Sequence, residues 1–492
     1  MNGSTMNDWR FDRLGVVCGL VAGLAAALAH SSATAQLNAT QKTDIGFTAL
    51  QNRLGGSMPL GIGLSATIVE VPLGTGEYRL NTSDPQLTGK TYQFPSGGNT
   101  GVSWHATTVG KYLFGTQSLA PRIGATGDGS TVANYEVSNW VNSGFLNANS
   151  SGLLPSVETR KLVSQSWVGS FGSSANDTLV LNRADYAVQR DGTIATYALN
   201  NGSDTTIPSL MASTYNGIVV GLSNGNHSRG TTTIDGSGRE KPDIVVPTEY
   251  TSWATPTVSS SAGLLVQVAN TTGGLGNGQR QQVVKSLLMA GATKAGPNLP
   301  GDWSWSHSTT QPLDSIYGAG QLNIEQAYDI LVAGEFSPSG SSLAAATGWD
   351  FGTASSVTLQ RYFFDVGSAG DLTASLNWQR TMSAVDTQPG PGVSYSFSGT
   401  LANLDLKLYS ASSFTLGSLL ASSASTIDNT ELIWATGLSA GRYALEVSSN
   451  TNAIDYGVAW TVVVPEPGTW VLFAVAATGG FVVRSRRWSR AA

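Results

Sequence analysis

The chain has 492 residues, 41% hydrophobic and only 12% charged, with 58 glycines, one cysteine and a net charge of −6. At about three times the ~150 residues typical of one domain, it has room for two folded domains plus appendages. The charge balance excludes a broad polybasic nucleic-acid surface, because counterion release needs clustered Lys and Arg. The single Cys18 excludes an intramolecular disulfide and a thiolate metal site.

At the N-terminus Arg10 and Arg13 precede an apolar run over 14–28 and then Ala33-Thr34-Ala35. A charged region, a short apolar region and an A-x-A site predict a signal peptide over 1–35, with the mature chain starting near Gln36. The apolar run is too short for a spanning helix, which needs ~20 residues.

From 36 to 333 short apolar runs alternate with helical stretches. Runs at 66–69, 161–163, 193–195 and 217–220 predict buried strands, and 258–268 and 283–291 predict helices, the first apolar on most faces. Strands alternating with helices imply a mostly parallel sheet with both faces covered. Three histidines follow the signal peptide: His105, His227 and His307. His105 opens a helical stretch, Trp104-His105-Ala106-Thr107-Thr108-Val109-Gly110, whose small residues permit close packing. His227 lies in a turn and His307 in a Trp/Ser loop, and each reads as an ordinary surface or hydrogen-bonded histidine. Gly221-Leu222-Ser223-Asn224-Gly225 matches the G-x-S-x-G nucleophile elbow, but 227–239 is too rich in Gly, Thr and Ser to supply the helix that such an elbow must enter.

Lys241-Pro242-Asp243-Ile244-Val245-Val246-Pro247, followed by Thr251-Ser252-Trp253-Ala254-Thr255-Pro256, resembles the nucleophile region of the subtilase (S8) serine peptidases. His105-Ala106-Thr107 and Tyr317-Gly318-Ala319-Gly320-Gln321-Leu322-Asn323 are similar to two further segments of that family. The resemblance covers about 290 residues and implies a subtilisin-like α/β fold and a serine endopeptidase acting on proteins or peptides without a cofactor. It places the nucleophile at Ser252, the general base at His105 and the triad acid at Glu70, which ends the strand Ala66-Thr67-Ile68-Val69-Glu70. Alignment on Gly202 makes Asn200 the oxyanion donor, with Asn201 as runner-up. The segment Ser164-Gln165-Ser166-Trp167-Val168-Gly169 resembles the edge that binds extended substrate, which implicates Ser166, Trp167 and Gly169. The family carries Asp where this chain has Glu70, and Gly where it has Tyr250. These departures keep a rival reading open: a catalytically inactive envelope or matrix adhesion protein on the same scaffold. No loop compels a metal site.

Residues 334–346, rich in Ser, Gly and Ala, read as a linker. From 347 to 464 the periodicity changes to two, as in Leu404-Asp405-Leu406-Lys407-Leu408-Tyr409, which predicts a small antiparallel all-β sandwich. The segments around Asp371–Trp378, Asp428-Asn429-Thr430-Glu431 and Gly441-Arg442-Tyr443 resemble the pre-peptidase C-terminal (PPC-like) sandwiches of secreted peptidases. The chain ends with Val464-Pro465-Glu466-Pro467-Gly468, an apolar run over 469–483 and four arginines. This order resembles the PEP-CTERM sorting signal. The resemblance implies export, transient membrane contact through 465–492, recognition by an exosortase-type sorting enzyme, and a final place on the surface or in the matrix of a Gram-negative bacterium. The arginines would hold the far end of the run on the cytoplasmic side.

Overall fold

A computed structural model describes residues 36–464, apart from 75, 99–100, 297–298, 301–302 and 389–391. The expected signal peptide over 1–35 and the sorting tail over 465–492 lie outside the described residues. Among the described residues no helix is long and apolar enough to cross a membrane.

The first domain is built on a seven-stranded sheet in the order β2-β3-β1-β4-β5-β6-β9. Its strands are β1 (Ala66–Glu70), β2 (Tyr92–Gln93), β3 (Val132–Glu136), β4 (Leu162–Gln165), β5 (Ile194–Ala198), β6 (Ile218–Leu222) and β9 (Ile244–Val246). The short pair β7 (Gly230–Thr231) and β8 (Glu240–Lys241) stands apart from it. All neighbouring pairs in the large sheet run parallel.

Seven helices matter here: α1 (Ala39–Asp44), α2 (Phe47–Leu54), α3 (Trp104–Phe114), α4 (Ser174–Asp191), α5 (Thr251–Thr271), α6 (Gln281–Ala290) and α7 (Ile324–Ala333). They cover both faces of the sheet, which is why its central strands are buried along their whole length. The period-two geometry of a strand divides each one between two cores. Ala66, Ile68, Leu162, Ile194, Ile218 and Val220 face the core shared with α3, α5, α6 and α7. Val69, Val163, Ala195 and Val219 face the core shared with α4.

The second domain has the predicted two-sheet form. One sheet is β10 (Leu343–Ala344), β12 (Gln360–Val366), β19 (Gly441–Ser449), β16 (Leu404–Ser412) and β17 (Thr415–Ser423), in that order. The other is β11 (Gly348–Ala354), β20 (Ile454–Val463), β13 (Gly370–Trp378) and β18 (Thr430–Leu438). A separate hairpin of β14 (Thr381–Asp386) and β15 (Tyr395–Thr400) lies against α4. The fold class is therefore the expected one, an α/β domain followed by an all-β domain. Part of the stretch read as a linker is structured, since Leu343 and Ala344 pair with Phe363 and Phe364.

The domains share a core rather than a tether. Trp349, Leu432 and Ala459 of the sandwich belong to the same buried cluster as α6 and α7. The Trp349 indole N–H donates to the Leu331 carbonyl at 2.9 Å. Ser286 on α6 donates to the Gly457 carbonyl at 2.8 Å and accepts from the Asn377 amide at 2.9 Å.

Candidate active site

The predicted residues collect at the carboxyl ends of the parallel strands, where open α/β sheets place their ligands. Glu70 is the last residue of β1 and shares the face of Ala66 and Ile68, so its side chain points toward the α3/α5 side. It is 1% exposed, and its Oε2 lies 2.7 Å from His105 Nδ1. An ionised carboxylate can only accept, so Nδ1 carries the proton and Nε2 is left as the basic nitrogen. The other oxygen, Oε1, is buried with no hydrogen-bond partner among the described residues. The carboxylate thus holds the imidazole through one oxygen.

His105 is the second residue of α3, and the start of that helix is pinned from several sides. Ser103, fully buried at the N-cap, accepts the Ala106 N–H at 3.1 Å on its hydroxyl. The Thr107 hydroxyl donates to the Ser103 carbonyl at 2.7 Å and accepts the Asn81 N–H at 2.9 Å. The neighbouring Leu80 N–H donates to Asn134 on β3 at 2.9 Å. The chain that positions the imidazole is therefore tied to the sheet that positions the carboxylate.

Ser252 is the second residue of α5 and is half-buried. Pro256 sits inside this helix and has no N–H to give the carbonyl four residues back, which belongs to Ser252. The Ser166 hydroxyl takes the vacant role and donates to the Ser252 carbonyl at 3.1 Å. No acceptor among the described residues takes the Ser252 N–H, whereas those of Trp253 and Ala254 both go to the Tyr250 carbonyl at 3.0 and 3.1 Å. A free N–H at a helix start favours developing negative charge.

The ring of Trp253, next to Ser252, lies 5.3 Å from the His105 ring. It also stacks on Tyr112 of α3, with centroids 5.7 Å apart and planes 3° apart. Tyr250 and Trp104 meet its edges at 6.1 and 6.5 Å. These contacts join the helix carrying the histidine to the helix carrying the serine.

The turn after β5 brings Asn201 to the start of α5. Asn201 Oδ1 accepts the Thr251 N–H at 3.0 Å and its hydroxyl at 3.1 Å. That assigns the Asn201 carbonyl oxygen to the helix and leaves its Nδ2 as a donor. Asn200 is held through its backbone, with its N–H donated to the Ser228 hydroxyl at 3.0 Å and its carbonyl accepting the Ser228 N–H at 2.9 Å. Gly202 follows at φ 92°, in the left-handed region that favours glycine.

Of the other expected contact residues, Ser166 is engaged with Ser252 as above. Trp167 is buried, and its indole N–H donates to Gln165 at 2.9 Å. Gly169 is half-buried, and its carbonyl accepts the Leu210 N–H at 3.0 Å.

The remaining histidines stand outside this group. His227 is hydrogen-bonded and fully buried rather than on the surface. Its Nδ1 accepts the Leu222 N–H at 3.0 Å, so Nε2 carries the proton and donates to the Ile316 carbonyl at 2.9 Å. Burial pushes its pKa down to about 4. The ring lies over Gly221, where a Cβ would come within 2.7 Å of Nε2. Gly221 thus makes room for a histidine; the G-x-S-x-G match enters a turn, not a helix. Burial also lowers the pKa of half-buried His307, whose ring packs on Trp305 at 4.9 Å.

Among the described residues no group of three or more His, Cys, Asp or Glu could hold a metal ion. A cleft of about 810 Å³ between the domains, lined by Lys161, Arg280 and Asp455 among others, contains none of Glu70, His105 and Ser252. Lys161 precedes β4, so this cleft opens at the opposite ends of the strands.

No protein-family model and no curated protein matches the chain. Among solved structures it is similar to the prenylagaramide maturation protease PagA, at 18% identity and a TM-score of 0.38, over 54% of this chain and 93% of that one. It is also similar to the MycP3 protease from the type VII (ESX-3) secretion system, at 12% identity and a TM-score of 0.37, over 60% of this chain and 89% of that one.

Proposed function

We propose that the chain is an exported serine endopeptidase using a Glu-His-Ser triad. The observation that carries this reading is the 2.7 Å contact between the buried Glu70 carboxylate and His105 Nδ1, on a helix whose neighbour presents Ser252 at its first turn. Ser252 Oγ attacks the scissile carbonyl, and His105 Nε2 takes its proton and later delivers it to the leaving amine. Glu70 fixes the tautomer and stabilises the imidazolium, the role an acid plays in such triads.

The oxyanion that forms needs two donors. The Ser252 N–H is one. The bonds from Thr251 to Asn201 Oδ1 support Asn201, rather than the first-choice Asn200, as the second, because they orient its amide toward the start of α5. Ser166, Trp167 and Gly169 act as the wall along which extended substrate lies. The terminal segments would direct export and sorting by an exosortase-type enzyme, and the substrate is a protein or peptide.

The test is labelling by a fluorophosphonate. The wild-type protein should take up one label at Ser252 and the Ser252→Ala variant none. A folded wild-type protein that stays unlabelled would support the rival, a non-catalytic surface protein.

A further inference from the structure

Trp104 is an unusual residue to leave in water. It directly precedes His105 and is 46% exposed, and Val102 on its other side is 50% exposed. The rest of the aromatic cluster is enclosed: Trp253 and Tyr112 are buried, and Tyr250 is half-buried. The rings therefore form an arc that runs from Tyr112 through Trp253 to Trp104, with the His105 imidazole against its inner side. Trp104 meets the imidazole edge-on at 5.7 Å, and Trp253 meets it at 5.3 Å. Only the Trp104 end of the arc opens to solvent.

Large exposed apolar groups grouped at a reactive centre mark contact surfaces. An indole also offers wide contact area at little conformational cost, since it has two side-chain torsions. Among the described residues the buried ring neighbours of Trp104 are already in contact with one another. Tyr250 adds a further ring where a glycine would leave the approach to Ser252 open.

We propose that Trp104, with Val102 and Tyr250, forms an apolar subsite beside His105 that selects peptides carrying an aromatic or large aliphatic side chain next to the scissile bond. This rests on the peptidase reading above and deepens it. A ring in such a subsite covers Trp104 and excludes water from the imidazole, so binding and chemistry favour the same substrates. Trp104 is a specificity-determining residue and takes no part in the proton transfers.

The experiment separates binding from catalysis. Fluorescein-labelled hexa-alanine peptides, each with one Phe at a successive internal position, are titrated against the Ser252→Ala protein with the all-alanine peptide as reference. At one of the positions flanking the cut, Phe should tighten binding by about tenfold or more, the scale on which an apolar pocket discriminates. Adding Trp104→Ala should bring that peptide to within about twofold of the reference, while Trp104→Phe should keep most of the preference, as ring contacts of this kind predict. Equal affinity of every Phe peptide and the reference, or a preference that survives Trp104→Ala, would overturn the proposal. Fluorophosphonate labelling of the same variants with Ser252 restored reports on the hydrolase reading separately. A protein that prefers Phe and never labels would retain the subsite and lose the chemistry.

Discussion

At the residue scale the account turns on Glu70, His105 and the two histidines that do other work. Glu70→Gln keeps the size but removes the charge and allows the amide to hold the wrong tautomer. It should lower kcat by about three to four orders of magnitude with KM little changed, while Glu70→Asp keeps a measurable part of the rate. Steady-state kinetics on the two variants checks this, and a fully active Gln variant would mean that another group orients His105. His227 makes a different prediction. Its pKa in the folded state is about 4, below the ordinary histidine value of 6.5. The unfolded chain therefore binds the extra proton between these two values, and the stability that the neutral ring contributes is present above about pH 6.5. It is lost progressively as the pH falls toward 4, by about 3 kcal/mol if the whole shift is expressed. Chemical denaturation across pH 4 to 7 should show this slope, and His227→Gln should flatten it by one proton. The sequence made His105 legible because it opened a helix of small residues. It could not separate buried His227 from a surface histidine, because the partner Ile316 lies 89 residues away.

At the scale of elements, α5 is organised by a defect. Pro256 removes the donor that would normally bond the Ser252 carbonyl, and Ser166, just after β4, supplies it from the side. Ser166→Ala should leave that carbonyl without its partner, at a cost of about 1 kcal/mol in stability. It should also lower kcat by about tenfold, because the helix start that carries the nucleophile is no longer tied to the sheet and small misplacements are expensive. Thermal melts and kinetics on the same sample separate the two effects, and an unchanged kcat would reduce Ser166 to a packing role. The apolar stretch at 258–268 marks the body of the helix, and the helix starts at Thr251, which puts Ser252 in its first turn as the resemblance implies. Helix α4 is not legible in the sequence, since Asp177, Arg183 and Asp185 lie among its buried residues and break the apolar stripe. Those charges have specific partners: Arg183 donates to the Leu146 and Leu153 carbonyls at 2.9 and 2.8 Å, and Asp177 accepts from Ser170 and Phe171, each at 2.7 Å.

At the scale of the whole molecule, the sandwich is a structural partner of the α/β domain. Arg380, between β13 and β14, reaches into the first domain with its side chain 8% exposed. It pairs with Asp185 at 3.0 Å and Asp235 at 2.8 Å, and its guanidinium lies 4.3 Å from the Tyr215 ring. The Asn216 side chain clasps its backbone, accepting the Arg380 N–H at 2.8 Å and donating to its carbonyl at 3.0 Å. Removing a cation buried between two carboxylates is costly, about 3–5 kcal/mol. Calorimetry should record one cooperative transition for the wild-type protein and a split or markedly lowered transition for Arg380→Ala. Two independent transitions in the wild-type protein would contradict the shared core. The sequence showed β16 clearly because one face is in water and its first six residues alternate buried and half-buried. Asp371–Trp378 in β13 alternates as strictly, but the alternation does not reveal that α6 covers the second face and buries the strand almost throughout. The same contact explains why a boundary legible in composition is not a boundary in packing.

The most direct test of the central claim is a crystal structure with a peptide boronate. The account predicts a tetrahedral boron bonded to Ser252 Oγ, with one boronate oxygen in hydrogen-bond reach of the Ser252 N–H and Asn201 Nδ2 and another facing His105 Nε2. A boronate bonded to a different residue, or a folded protein that forms no adduct at Ser252, would contradict it.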